Sequence, residues 1–193
     1  MLELALLQEQ ASSCETLLDL SANRQVDLIV PAYSLAEPYE TLTRRRKDRL
    51  QVKRTVDAQL HQLARTDTYA ERLSRFDDIT ALLIGSADEE HRRLEDVVSK
   101  IMEVADVIPL DSDTIAESLR CQKEYDFSPQ DAIVYTSVVA DLKVRPSEHG
   151  SCFLNRNSKD FDDQNVVDDL ANWGCRLLPR FDSGLDFVRS RLD

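Results

Sequence analysis

Four short apolar runs, separated by stretches of helical periodicity, constrain this chain more than any other feature. They are VDLIVP (26–31), DVIPL (106–110), CFLN (152–155) and CRLLP (175–179). Runs of this length read as strands rather than helices. Strands that alternate with helices are joined by right-handed crossovers, which predicts an α/β fold with a parallel sheet covered by helices on both faces. VDLIVP in particular reads as a strand buried on both sides. Helical spacing predicts two short helices or one broken one over Leu2 to Leu20, then Ser34–Lys47, Arg49–Ala64, Tyr69–Leu83 and Asp88–Val104, with a break near Gly85 and Ser86. Further helices are expected over Asp113–Tyr125, Pro129–Leu142, Asn165–Asn172 and Ser183–Leu192. With only 4 Gly and 6 Pro in 193 residues, the chain reads as helix-rich, and its length fits a single domain over 1–193.

Charge narrows the partners. A net charge of −12 argues against coating nucleic acid by bulk electrostatics. Residues 44–54, RRRKDRLQVKR, run the other way, with seven basic side chains against one acid. Such a strip on an acidic body suits guiding a phosphate backbone to one place, although a solvated helix face has the same composition. No apolar run approaches the roughly 18 residues of a membrane span. MLELALLQEQ has neither the basic start nor the cleavage site of a signal peptide, so a cytoplasmic location is expected. Cys14, Cys121, Cys152 and Cys175 are scattered, as are His61, His91 and His149, which disfavours zinc and a disulfide framework.

Function in parallel sheets gathers at the carboxyl ends of strands, and acids collect there. VDLIVP leads into AYSLAEPYETL, where Ser34 and Glu37 have the S-x-x-[DE] spacing of a capping box and Pro38 restricts the backbone beside Glu37. Ser128 and Asp131 repeat that spacing in FSPQDAIVYTSVVADL, with Pro129 at the first helical position. CFLN runs into RNSKDFDD, which puts Asn157 and Asp160 just past a strand end. Each feature has a structural reading by itself. Carboxylates converging on one rim repel unless a cation lies among them, and oxygen donors favour Mg²⁺ or Mn²⁺. Tyr33, Tyr39, Tyr125 and Tyr135 lie near these acids in sequence and are candidates either for stacking on a base or for packing. Trp173 reads as a core anchor, and His149 as an exposed loop residue.

Taken in order, VDLIVP with AYSLAEPYETL, SPQDAIVYTSVVADL, and FLNRNSKDF with GCRLLPRF resemble the PIN domain, a metal-dependent nuclease fold. The resemblance covers most of the chain except a helical insertion at about 45–104, and it implies a three-layer parallel-sheet fold. Carried over by residue, Glu37 stands at the family's acid on the helix after the second strand, and Asp131 at the acid opening the later helix. Asn155 falls at the family's hydroxyl position, Asn157 at its first acid and Asp160 at its second. Two departures stand out: Asn157 replaces an acid, and no strand ending in D-x-N precedes the first helix. MLELALLQEQ resembles the residues just after that motif, so either the start lies upstream or the chain lacks a central strand and a ligand.

The resemblance implies a Mg²⁺- or Mn²⁺-dependent endoribonuclease acting on single-stranded RNA. Glu37, Asp131 and Asp160 would be its metal ligands, Asn157 would complete the catalytic cluster, and Arg44, Arg45, Arg46, Lys47 and Arg49 would bind the RNA backbone. An antitoxin-like protein or a second copy of the chain would be its protein partner, and no membrane is expected. The alternative is a catalytically impaired module of the same fold that binds RNA or a partner protein. A phosphatase of the haloacid dehalogenase type would need D-x-D after the first strand, a spacing found only after later ones, at Asp111 and Asp113 and at Asp160 and Asp162.

Overall fold

A helix buried along most of its length organises the chain. In FSPQDAIVYTSVVADL apolar and small residues fall on every face, so the helix has no wholly polar side to give to water. The computed structural model, which describes residues 1–156, 161 and 163–192, encloses it. In chain order the elements are α1 (Leu2–Ala5), α2 (Ala11–Ala22), β1 (Ile29–Pro31), α3 (Ala32–Leu63), α4 (Asp67–Val104), β2 (Asp106–Ile108), α5 (Ser112–Tyr125), α6 (Pro129–Val144), β3 (Ser151–Leu154), α7 (Gln164–Asn172), β4 (Cys175–Leu178) and α8 (Phe181–Leu192). The enclosed helix is α6, with Ala132, Val134, Tyr135, Thr136, Ser137, Val139, Asp141 and Leu142 all buried.

All four strands are parallel, as the strand and helix alternation predicts, but they form two pairs rather than one sheet. β1 pairs with β2 in the register Ile29↔Asp106, Val30↔Val107, Pro31↔Ile108, and β3 pairs with β4 from Ser151↔Cys175 to Leu154↔Leu178. Among the described residues no strand precedes β1, so no central strand joins the pairs. β1 is also less enclosed than its composition suggests: Ile29 and Val30 are half-buried and only Pro31 is buried. α6 touches β1 and β2 directly. Its Ala132, Tyr135, Val139 and Leu142 share a core with Phe161, Val166, Leu170 and Cys175, with Phe153 and Leu177 packed against it. Tyr125 and Tyr135 belong to this core, stacked edge to face at 5.5 Å, which removes them as platforms for a base. A second core joins Leu4, Cys14, Leu18 and Ile101, with Leu28 and Val30 of the β1 segment against it.

The connections differ greatly. β3 returns to β4 through α7, an ordinary crossover, whereas β1 reaches β2 through the two longest helices of the fold, α3 and α4. Sequence spacing suggests four helices here; the structure has two, of 32 and 38 residues, each roughly 50 Å long. Asp48 does not interrupt α3, and Gly85 is carried inside α4. The two helices run antiparallel: Leu42 shares a core with Leu94, and Arg46 and Arg49 meet Asp88 and Glu90. α3 therefore continues without a break from Glu37 into the basic strip, and the expected insertion boundary near 45 falls mid-helix.

The remaining sequence features are simpler. The cysteines are free; burial pushes the Cys14 and Cys152 thiols up to about 11 and Cys175 up to about 12, so these three are not ready nucleophiles. Trp173 caps α7 but is 39% exposed, more open than a core anchor, and His149 is exposed as expected.

Gly85 is the least justified residue in α4, since a Cβ there would have nothing within 4 Å. Gly85→Ala is expected to stabilise the protein by about 0.5–1 kcal/mol, read as a higher urea midpoint at unchanged slope. Arg49→Ala should act in the opposite direction, by about 1–3 kcal/mol, because it leaves half-buried Glu90 without its bidentate partner.

Candidate functional site

The two helices carrying the predicted acids start side by side. α3 leaves β1 without a loop: Pro31, at φ −59 and ψ 134, is both the last strand residue and the helix N-cap. That early start puts Ser34 inside the first turn, and no side-chain cap bond forms, so the capping box expected of Ser34 and Glu37 is absent. The S-x-x-E spacing misleads because proline's fixed φ begins the helix two residues sooner.

Ser128 behaves as predicted. Its hydroxyl oxygen accepts the Asp131 amide at 3.2 Å, and its hydroxyl hydrogen bonds the Asp131 carboxylate in return. The carboxylate thus takes the Ser128 hydroxyl rather than the Ser128 amide, and it is held at the positive end of α6.

Tyr33 lies within electrostatic reach of Glu40, Glu37 and Asp131. Burial raises the Tyr33 phenol above its ordinary pKa, and the negative fields of Glu40, Glu37 and Asp131 add to the rise, while Gln130, within hydrogen-bonding reach, opposes it. α3 and α6 pack against each other, so a phenol near their starts senses all three carboxylates. Tyr33, Glu37 and Glu40 are spaced i, i+4, i+7 on α3 and share a face, with Glu37 and Glu40 exposed and Asp131 half-buried. Glu40 is a member that motif reasoning missed; its helical spacing from Glu37 was the available signal. Asn157 and Asp160 lie outside the described residues. Among the described residues, no three His, Cys, Asp or Glu side chains are grouped to hold a metal ion.

The basic strip divides by face. At 100° per residue, Arg44 lies within about 20° of Glu37 and two turns beyond it, and Lys47 is on the same side. Arg46 and Arg49 turn toward α4. Arg49 grips Glu90 with two bonds of 2.8 and 3.0 Å and reaches Ser86 at 3.2 Å, while Arg46 pairs with Asp88 at 3.2 Å. Arg49 is a clamp between helices, its guanidinium already engaged by Glu90. Lys53 is likewise spent on Asp57 at 2.6 Å. Arg44, Arg45 and Lys47 make no ion pair among the described residues, so the usable strip is shorter than the sequence suggests.

Because folding raises the Tyr33 pKa, whatever stability this phenol contributes is present below about pH 10 and is lost as pH climbs past the folded value. Carbon-13 tyrosine NMR is expected to find Tyr33 titrating above pH 10, and Glu37→Gln or Asp131→Asn should each lower that midpoint. An unmoved midpoint in both variants would separate the two acids.

Against this geometry, no family model, no curated protein and no solved structure matches the chain.

Proposed function

We propose that the chain is a PIN-like, Mg²⁺-dependent endoribonuclease acting on single-stranded RNA, with Glu37 and Asp131 at its centre. One observation carries the reading: acids 94 positions apart, each singled out by the family resemblance, lie on helices that pack together, and both act on the Tyr33 phenol. The parallel strands also support it, since two separate pairs are what a parallel sheet lacking its middle strand leaves.

Glu37 and Asp131 would hold the metal, joined by Asp160, with Glu40 adding negative charge to the same face. A bound Mg²⁺ lowers the pKa of its water and offsets charge building on the phosphate. Tyr33, kept protonated by burial and by the surrounding carboxylates, can donate a hydrogen bond to a phosphate oxygen. Arg44 and Lys47 continue the Glu37 face along α3, where phosphates flanking the scissile bond can lie. Asn157, standing where the family has an acid, favours the second reading, an RNA-binding module without catalysis.

Two measurements separate these readings. In a Mn²⁺-supplemented assay on single-stranded RNA, Glu37→Gln and Asp131→Asn should each lower cleavage by about 100-fold or more, with RNA affinity largely kept. Cleavage at background in the parent and both variants, with binding intact, would leave only the binding module. Replacing Arg44 and Lys47 together with Ala should flatten the slope of log K against log salt by roughly 1.4, at about 0.7 per single-strand phosphate contact. Arg49→Ala should leave that slope unchanged.

A further inference from the structure

The rest of the fold grips the α3 and α4 pair near one end. There Ala5 of α1 closes a core with Leu42 and Leu94, and the Arg93 Nε donates to the Ala5 carbonyl at 2.8 Å. Beyond Arg49 and Ser86, which meet at 3.2 Å, the two helices continue outward as an arm, about 21 Å long from Arg49 to Leu63. Four aliphatic side chains on it, Val52 and Leu63 of α3 and Ile79 and Leu82 of α4, are 45–70% exposed.

These four lie on one side of the arm. On α3, Val52, Val56 and Leu63 follow Arg49 at i+3, i+7 and i+14; on α4, Leu82 and Ile79 precede Ser86 at i−4 and i−7. Because Arg49 bonds Ser86, the two rows start from one contact and run outward side by side. Their face is centred about 100° around α3 from Arg44, so it leaves the side bearing Glu37 and Lys47 free. The α3 row, Val52, Val56, Gln59 and Leu63, steps by 4, 3 and 4 residues, which is the spacing of a helix–helix seam.

The arm also carries its own electrostatic complement. Residues 44–65 hold eight Lys or Arg against two acids, and residues 67–103 hold ten acids against five Lys or Arg. Setting aside the pairs Arg46 with Asp88 and Arg49 with Glu90 leaves the two helices opposite in sign. A partner of the same sequence therefore gains when its α4 lies over α3, and loses when α3 lies over α3.

We propose that a second copy of the chain docks on this face, the two arms forming a four-helix bundle about a two-fold axis parallel to them. α3 of each copy packs on α4 of the other, so neighbouring helices are antiparallel and opposite in charge. An axis in that direction keeps every residue at its own height along the arm. Val52 and Val56 then meet Leu82 and Ile79 of the second copy, in the register that Arg49 and Ser86 set within one chain. The face is roughly 20 Å square, small for a specific interface, so association is expected at micromolar concentration.

Sedimentation equilibrium of the full chain is expected to show monomer and dimer exchanging in that range. Val52→Lys and Leu82→Glu, both at exposed positions, should each keep the parent's far-ultraviolet spectrum and weaken dimerisation about 100-fold, since symmetry buries each new charge twice. Mixing the two variants should restore most of the association. In the mixed dimer the introduced ammonium faces the introduced carboxylate, and the other contact is Val52 on Leu82 as in the parent. A chain monomeric up to about 200 µM would overturn the proposal. So would a dimer that neither change weakens, which places the contact elsewhere, or a mixture no tighter than its components, which rules out α3 lying on α4 of the other copy.

Discussion

The lack of a polar face on α6 is the constraint from which the rest of the structure follows. A 16-residue helix buried at Ala132, Val134, Tyr135, Val139 and Leu142 needs apolar neighbours on several sides, and the fold supplies them from elements far apart in sequence. β1 and β2 lie against it from one part of the chain, β3 and β4 share its core from another, and α5 pairs along its length. The same enclosure fixes Asp131, because a helix held this firmly presents its first turn in one place. Ser128 then sets the carboxylate within that turn. Capping and acid placement are one device here, for the bonds that close the helix start also orient its carboxylate.

Elements were legible where chemistry is local. All four strand runs are strands, and the helix beginning at Pro129 starts where Ser128 and Pro129 predict it. What failed were features settled by contacts across the fold. Nothing local says that Gly85 will be carried within α4, whose length is sustained by packing on α3. The Ser34 and Glu37 pattern matched a motif whose position was already taken by Pro31. Pairing of the strands into two sheets depends on which edges find partners, and strand composition does not encode that.

The acid pair illustrates the same division. Each carboxylate was identifiable from a motif at a helix start, but that both act on Tyr33 depends on how α3 and α6 pack, which no motif encodes. Glu40 escaped notice because it belongs to no motif, although its spacing from Glu37 puts it on the same face. Counting charge in residues 44–54 overstated the basic strip for a related reason. A run of cations wraps around a helix, and the side facing α4 is consumed by Asp88 and Glu90. A charge run therefore has to be divided by helical face before it can describe a binding surface.

Under the proposed function, that division would let an acidic chain hold a polyanion. Arg46 and Arg49, paired across the α3 and α4 interface, add almost nothing to the outward field, because each is offset by an acid within about 3 Å. Arg44 and Lys47 keep their field and project on the side that carries Glu37. At an ionic strength of about 0.15 M the screening length is about 8 Å, so the distant acids responsible for the net charge of −12 are largely hidden from a phosphate lying on that face. Close cations outweigh remote anions under such screening, and raising the salt weakens both without reversing their order. The continuity of α3 is what makes this arrangement possible. Because one helix, with Pro38 in its interior, carries both Glu37 and the cations beyond it, the spacing between the acid face and those cations is set by helical rise.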